Sequence, residues 1–131
     1  MGTAYYGNLE IYGNENIKAV LQEAHLRLSS ISGANSQYEI TVIKKVFFGS
    51  ITADTKGMLG CAGLVLEEFF MCDGKKNLQY VICFNTSNGY PDEFAKYLLN
   101  YLKVIDPNVK IYLDCIGDGI YKLQQWIKPD L

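Results

Sequence analysis

Few residues in this sequence have the types and spacing that catalysis or metal binding requires. The four cysteines, Cys61, Cys72, Cys83 and Cys115, form no Cys-x-x-Cys pair, and the single histidine, His25, is far from all of them in the sequence. Zinc sites draw their ligands from closely spaced pairs, so this spacing disfavours a metal site. Each cysteine lies in an apolar run, where a free thiol packs as a small hydrophobic side chain. We therefore expect free thiols, no metal, no cofactor and no catalytic residues.

Two groups of glycines are candidates for ligand binding. Gly57, Gly60 and Gly63 recur at every third position, and Gly117 and Gly119 flank an aspartate. Backbone amides exposed at such glycines can hold an anion such as a phosphate, although no Gly-Lys-Ser/Thr follows either group. Packing positions or a flexible loop are the other explanation of the first group. As an alternative function, these glycines predict a module that binds a nucleotide or another anion, or a small enzyme.

The tyrosines are more informative, because there are ten of them against six phenylalanines and one tryptophan. Tyrosine combines a large contact area with a polar tip and is enriched in binding surfaces. By strand alternation, Tyr12 and Tyr112 lie on outward faces, as do Glu10 and Lys110. These four residues predict an interface with another protein or with a second copy of the chain. The alternative is that the rings cover a sheet edge or a C-terminal helix.

Size and composition predict a single globular domain. The chain has 131 residues, of which 49% are hydrophobic and 20% charged, and its formal net charge is −2. The densest basic spots are two lysine pairs, at 44–45 and 75–76, so we do not expect nucleic-acid binding. No apolar run reaches the ~20 residues that span a bilayer. Reduced thiols and the absence of a leader at the start of the chain indicate a cytoplasmic protein with no membrane partner.

Two strand–helix patterns must position these residues. Residues 8–12 alternate as a half-buried strand, Asn14 can cap the helix that follows, and an apolar stripe runs through residues 17–28. Residues 78–84 predict a strand, Pro91 opens an amphipathic helix that extends to residue 105, and residues 109–115 predict another strand. Residues 38–48 are β-branched and aromatic, which indicates a strand.

Two further segments are harder to interpret. Residues 55–72 contain a helical apolar stripe, and the adjacent Glu67 and Glu68 would break strand alternation, which favours a helix. The alternative is a strand over residues 64–72 that turns at Asp73 and Gly74 into the next strand. Near the C-terminus, a short helix is predicted by the spacing of Ile120, Leu123, Trp126 and Ile127.

The resulting βαββαβ order predicts an α+β, ferredoxin-like sandwich with both helices on one face of an antiparallel sheet. Residues 50–75 would be an insertion between the two middle strands. In this arrangement the last strand pairs with the first, so that Tyr12 and Tyr112 share the open sheet face. We expect a homodimer that uses this face.

Two segments resemble a phage-borne family of uncharacterised ferredoxin-like proteins. Residues 8–13 (NLEIYG) end a strand in glycine before a helix, and residues 84–86 (FNT) precede a helix led by Pro91. The resemblance covers residues 5–28 and 78–115. It implies a ferredoxin-like fold and a phage setting, and it implies no catalytic residues. Together with the tyrosines, it leads to our main hypothesis of a non-enzymatic binding protein, a phage or mobile-element accessory that binds and modulates a host protein.

Overall fold

The computed structural model of the protein describes residues 3–32, 38–39, 64–72, 75–87 and 91–128. Within these residues, two helices accompany one six-stranded sheet. The elements are β1 (Tyr5–Tyr12), α1 (Glu15–Ser32), β2 (Tyr38–Glu39), β3 (Val65–Met71), β4 (Leu78–Thr86), α2 (Asp92–Lys103), β5 (Lys110–Gly117) and β6 (Tyr121–Trp126). A single 3-10 turn, Lys75–Asn77, leads into β4.

The strands lie in the order β2-β3-β4-β1-β5-β6, and every neighbouring pair is antiparallel. The α+β class and the antiparallel sheet predicted from the sequence are thereby confirmed. β5 lies beside β1, with Leu113 opposite Leu9 and Tyr112 opposite Glu10. Among the described residues, no helix combines the length and the apolar character that crossing a bilayer requires.

The first strand and helix form as the sequence indicates. Leu9 and Ile11 are fully buried, whereas Glu10 and Tyr12 alternate onto the other face. Asn14 caps α1, because its Oδ1 accepts hydrogen bonds from the backbone amides of Asn16 at 2.9 Å and Ile17 at 3.3 Å. These are two of the donors that a helix start leaves without a partner.

One hydrophobic core lies between the sheet and the two helices. α1 packs against β3 and β4, and α2 packs against β5. The fully buried side chains include Leu9, Ile11, Ile17, Leu21, Leu28, Ile82, Phe94 and Leu98. Because both helices of the described residues cover the same side of the sheet, its other side carries no helix in this part of the chain.

Residues 65–71 correct the helix that we favoured for this part of the chain. They form β3, which pairs with β4 as in the hairpin alternative. A register shift between Leu66 and Glu68 leaves Glu67 as an extra residue, so that Leu66 and Phe69 both reach the core. A β-bulge thus produces the i, i+3 apolar spacing that resembled a helix. These residues are accordingly a strand of the sheet and not part of an insertion.

The predicted C-terminal helix is also wrong. Residues 121–126 form β6, which pairs with β5 and extends the sheet instead of folding over its open face. Two members of the supposed helical stripe, Ile120 and Trp126, are 75% and 52% exposed. Of the strand predicted over residues 38–48, the structure shows the first two residues as β2, and residues 40–63 lie outside the described part of the chain.

Candidate functional site

The second face of the sheet is the candidate binding surface, and we call it the open face. In the described part of the chain no helix lies on it. Large apolar side chains remain exposed there, with Tyr6 at 54%, Phe70 at 49% and Trp126 at 52%. Residues that lie directly opposite each other on neighbouring strands form cross-strand pairs. The register therefore arranges the side chains of the open face into rows that run across the sheet.

One row is mostly aromatic. From β3 to β6 it contains Phe70, Val81, Glu10, Tyr112 and Trp126. We call these five residues the aromatic row. It crosses all five of the longer strands, and it forms an apolar strip that is interrupted by the carboxylate of Glu10.

The neighbouring row is polar and negatively charged. It contains Glu68, Cys83, Asn8, Asp114 and Gln124, and we call it the acidic row. Cys83 Sγ donates to Asn8 Oδ1 at 3.1 Å, and Gln124 Nε2 donates to Asp114 Oδ1 at 3.0 Å. The row carries two carboxylates and no cation. Beyond it, a third row continues with Val65, Asn85, Tyr6, Ile116 and Lys122.

A shallow hollow of about 420 Å³ opens around the middle of the acidic row, and Asn8, Cys83 and Asp114 line it. Burial raises the pKa of the Cys83 thiol, and the carboxylates of Glu68 and Glu67 raise it further. A thiol with a raised pKa is a poor nucleophile at neutral pH. No group of three or more metal-binding side chains occurs among the described residues.

The predicted interface residues come together at one end of the open face. Tyr12 and Trp126 have ring centroids 5.3 Å apart, and Tyr112 contacts Trp126 edge to face at 5.0 Å. The Tyr12 hydroxyl donates to Glu10 Oε1 at 2.6 Å. Lys110 is opposite Tyr12 in the register and is exposed. We call Tyr12, Tyr112 and Trp126 the aromatic cluster.

The hydrogen bond between Tyr12 and Glu10 changes the acidity of the phenol. Together with burial, it raises the pKa of Tyr12 to about 12. The phenol therefore stays neutral throughout the physiological range and acts as a hydrogen-bond donor. Charge on this part of the face comes from Glu10 and Lys110.

Of the glycines proposed as an anion site, Gly117 and Gly119 lie among the described residues. Gly117 ends β5 and Gly119 lies in the hairpin turn, while Gly57, Gly60 and Gly63 lie outside the described residues. In the turn, the Asp118 amide donates to the Ala4 carbonyl at 2.8 Å and the Ile120 amide donates to the Gly117 carbonyl at 2.9 Å. Two amides of this turn are thus satisfied within the chain, and a carboxylate lies between its glycines.

Trp126 and Phe70 are site residues that sequence reasoning missed, because the segments that contain them were interpreted as helices. The sequence did contain a signal for β6, because Asp118-Gly119 directly follows a strand and this pair is typical of tight β-hairpin turns. Both residues have positive φ, 51° and 75°, as a tight hairpin turn requires.

Comparisons with protein-family models, curated proteins and solved structures find no match to the chain.

Proposed function

We propose that this is a non-enzymatic binding protein whose open face docks onto another protein. The observation that supports this most is the aromatic row, which leaves Phe70 and Trp126 about half exposed in the same strip. Exposed aromatic side chains that lie in one strip are typical of interaction sites, since aromatic residues are enriched at the centres of such sites.

The charges of the open face indicate what kind of partner fits. Glu68 and Asp114 lie in the acidic row, with Glu67 beside it, and apolar side chains flank the row on both sides. Opposed charges across an interface guide association and exclude wrong partners. The partner would therefore present a basic stripe next to an apolar strip.

We infer that the architecture is a ferredoxin-like sandwich with a strand added at each edge. The order β5-β1-β4-β3, with α1 and α2 on one side, supports this, and β6 and the two-residue β2 are additions at the edges. The resemblance to phage-borne proteins of that fold leads us to propose a host protein as the partner. The protein would then act as a phage or mobile-element accessory that modulates its host.

Affinity capture from a lysate of the host cell tests this function. The wild type is compared with Phe70→Ser, which removes an exposed side chain of the aromatic row, and with Glu68→Lys, which reverses one charge of the acidic row. Leu26→Ser is the matched control, because Leu26 is 66% exposed on α1, on the helical side of the molecule.

We expect the wild type and the Leu26→Ser control to retain the same host protein. Both open-face variants should lose about tenfold or more of it, because Phe70→Ser removes an exposed aromatic contact and Glu68→Lys places a cation opposite the basic stripe of the partner. Equal capture by all four proteins would contradict the proposal. So would the absence of any stable partner together with turnover of a metabolite.

A further inference from the structure

A groove of about 1150 Å³ opens at the end of the sheet beside the aromatic cluster. It lies between the end of β1, the loop that connects α2 to β5, and the end of β6. Leu99, Val109 and Ile127 are buried and contribute its apolar floor. A groove of this size can hold a ligand much larger than a simple ion.

Lysines give the groove its charge. Lys76, Lys103 and Lys110 line it, and none of the three forms an ion pair within the described residues. Lys103 Nζ donates only to a backbone carbonyl, that of Pro107, at 3.1 Å. Three lysines against one aspartate, in a chain whose net charge is −2, make the groove a local region of positive potential.

Asp106 is the one aspartate that lines the groove, and both of its carboxylate oxygens accept hydrogen bonds from backbone amides. Asp106 is 6% exposed, its Oδ2 accepts from the Asn14 amide at 2.9 Å, and its Oδ1 accepts from the Asn108 amide at 2.9 Å. It holds the loop before β5 against the start of α1. Its carboxylate is thus a structural element, and the lysine side chains remain to bind an anion.

One wall of the groove is aromatic. Trp126 and Tyr12 line it, and the indole is 52% exposed. The rings of Tyr12 and Tyr112 meet the indole at interplanar angles of 54° and 63°. These contacts fix the indole while half of its surface stays accessible. An exposed, fixed indole is a platform on which a flat aromatic ring can stack.

We propose that this groove binds a nucleoside phosphate, with the base against Trp126 and the phosphate among Lys76, Lys103 and Lys110. The exposed amide side chains of Asn77 and Asn108, which also line the groove, can pair with the polar edge of a base. The site differs from the glycines considered above. Because it shares Tyr12, Lys110 and Trp126 with the open face, a nucleotide and a protein partner would exclude each other there.

Binding can be followed by the fluorescence of Trp126, because it is the only tryptophan of the chain. Its fluorescence, excited where tyrosine does not absorb, is followed during titration with adenosine and guanosine mono- and triphosphates. Inorganic phosphate and adenosine are titrated separately, since phosphate can contact only the lysines and adenosine supplies only the base that stacks on Trp126. The thermal unfolding midpoint, measured with the same compounds, detects a ligand that leaves the fluorescence unchanged.

We expect at least one nucleotide to give a saturable fluorescence change and a raised unfolding midpoint. Phosphate or adenosine alone should bind about tenfold more weakly or worse. Lys103→Ala and Lys110→Ala should each raise the nucleotide Kd by about tenfold, the effect of losing one charge-assisted contact. The control Lys122→Ala, an exposed lysine of the open face that does not line the groove, should leave the Kd within about twofold.

Three results would overturn the proposal. The first is no response in either measurement at millimolar concentrations of all four nucleotides. The second is binding that Lys122→Ala weakens as much as Lys103→Ala and Lys110→Ala do. The third is a response to a single-stranded oligonucleotide without any response to the free nucleotides, since this would make the groove a nucleic-acid site instead.

Discussion

The hydrogen bond from Tyr12 to Glu10 predicts an unusual tyrosine titration. The bond is 2.6 Å long, and together with burial it raises the pKa of Tyr12 from 10.0 to about 12. The folded protein therefore holds this phenolic proton more tightly than the unfolded chain does. The stabilisation is complete below pH 10, and it is lost as the pH rises through about 12.

Phenolate absorbance measures this titration. The difference between the wild type and Tyr12→Phe should isolate the titration of Tyr12, with a midpoint of about 12. In Glu10→Gln the midpoint should move down toward 10.0, because both the hydrogen bond to the carboxylate and its charge are removed. A wild-type midpoint near 10.0 would show that the bond does not form in solution.

His25 predicts a loss of stability in mild acid. Its ring stacks on Phe69 with centroids 4.7 Å apart, and burial lowers its pKa below the ordinary value of 6.5. The unfolded chain thus binds this proton more readily than the folded protein. The contribution of His25 to stability is present above pH 6.5, and it declines as the pH falls below that value.

Urea unfolding between about pH 7.5 and about pH 5 tests this, with His25→Gln as the comparison. The wild type should lose more free energy of unfolding across this range than the variant, since other titrating groups are common to both. As the only histidine, His25 should also give one NMR titration curve with a midpoint below 6.5. Equal losses in the two proteins would contradict the prediction.

Strand alternation in the sequence predicted several residues of the open face, but it could not predict which lysines line the groove. Glu10, Tyr12 and Tyr112 were placed on one face because two short strands alternate clearly and were expected to pair. Lys76 and Lys103 carry no comparable signal. They lie on different elements, far apart in the sequence, and only tertiary packing brings them into one groove.

At the scale of elements, the two errors of the sequence interpretation have local causes. In β3, the bulge at Glu67 replaces strict alternation with a spacing that also fits a helix. In β6, Leu123 packs on the core, whereas Lys122 and Gln124 face outward and are exposed. This edge strand has little apolar character of its own. Its position follows from the hairpin turn and from β5, and hydrophobic periodicity therefore did not identify it.

Adding a methyl group at Gly7 and at Gly119 should lower the free energy of unfolding by different amounts. At Gly7, the third residue of β1, a Cβ would lie 2.5 Å from both Cα and Cβ of Cys115 on β5. At Gly119 a Cβ would meet nothing within 4 Å, and the strain comes only from its φ of 75°. Gly7→Ala should thus lower the free energy of unfolding by about 2 kcal/mol or more, because strand backbones must move apart.

Gly119→Ala is the matched comparison, with an expected loss of about 1 kcal/mol from the left-handed backbone. Urea unfolding of both variants gives the two values. If Gly7→Ala were as mild as Gly119→Ala, the close approach of β5 to β1 would not exist in solution.

In the described part of the molecule, the sheet has two unlike sides. The two described helices cover one side, while the other side presents the aromatic row, the acidic row and the aromatic cluster. An apolar strip across an open sheet is unfavourable in water, and association with a second copy is the simplest way to cover it. The distribution of charge then decides where a two-fold axis can pass.

A two-fold axis through the acidic row would oppose Glu68 and Asp114 to carboxylates of the second copy. An axis displaced toward Tyr12 avoids this repulsion. It lets Glu10 of one copy approach Lys110 of the other, while Tyr112 and Trp126 supply apolar contact. We therefore predict a homodimer formed through the end of the open face that bears Glu10, Tyr12, Lys110 and Tyr112.

Sedimentation velocity at micromolar concentration tests this dimer. Tyr112→Glu places a carboxylate in the contact beside Glu10, its partner across the strands, and should give a monomer. Leu26→Glu is the matched control on the helical side, where the exposed Leu26 takes no part in the contact, and it should remain a dimer. A monomeric wild type would refute the dimer. A dimer that survives Tyr112→Glu but dissociates with Leu26→Glu would place the interface on the helices instead of the open face.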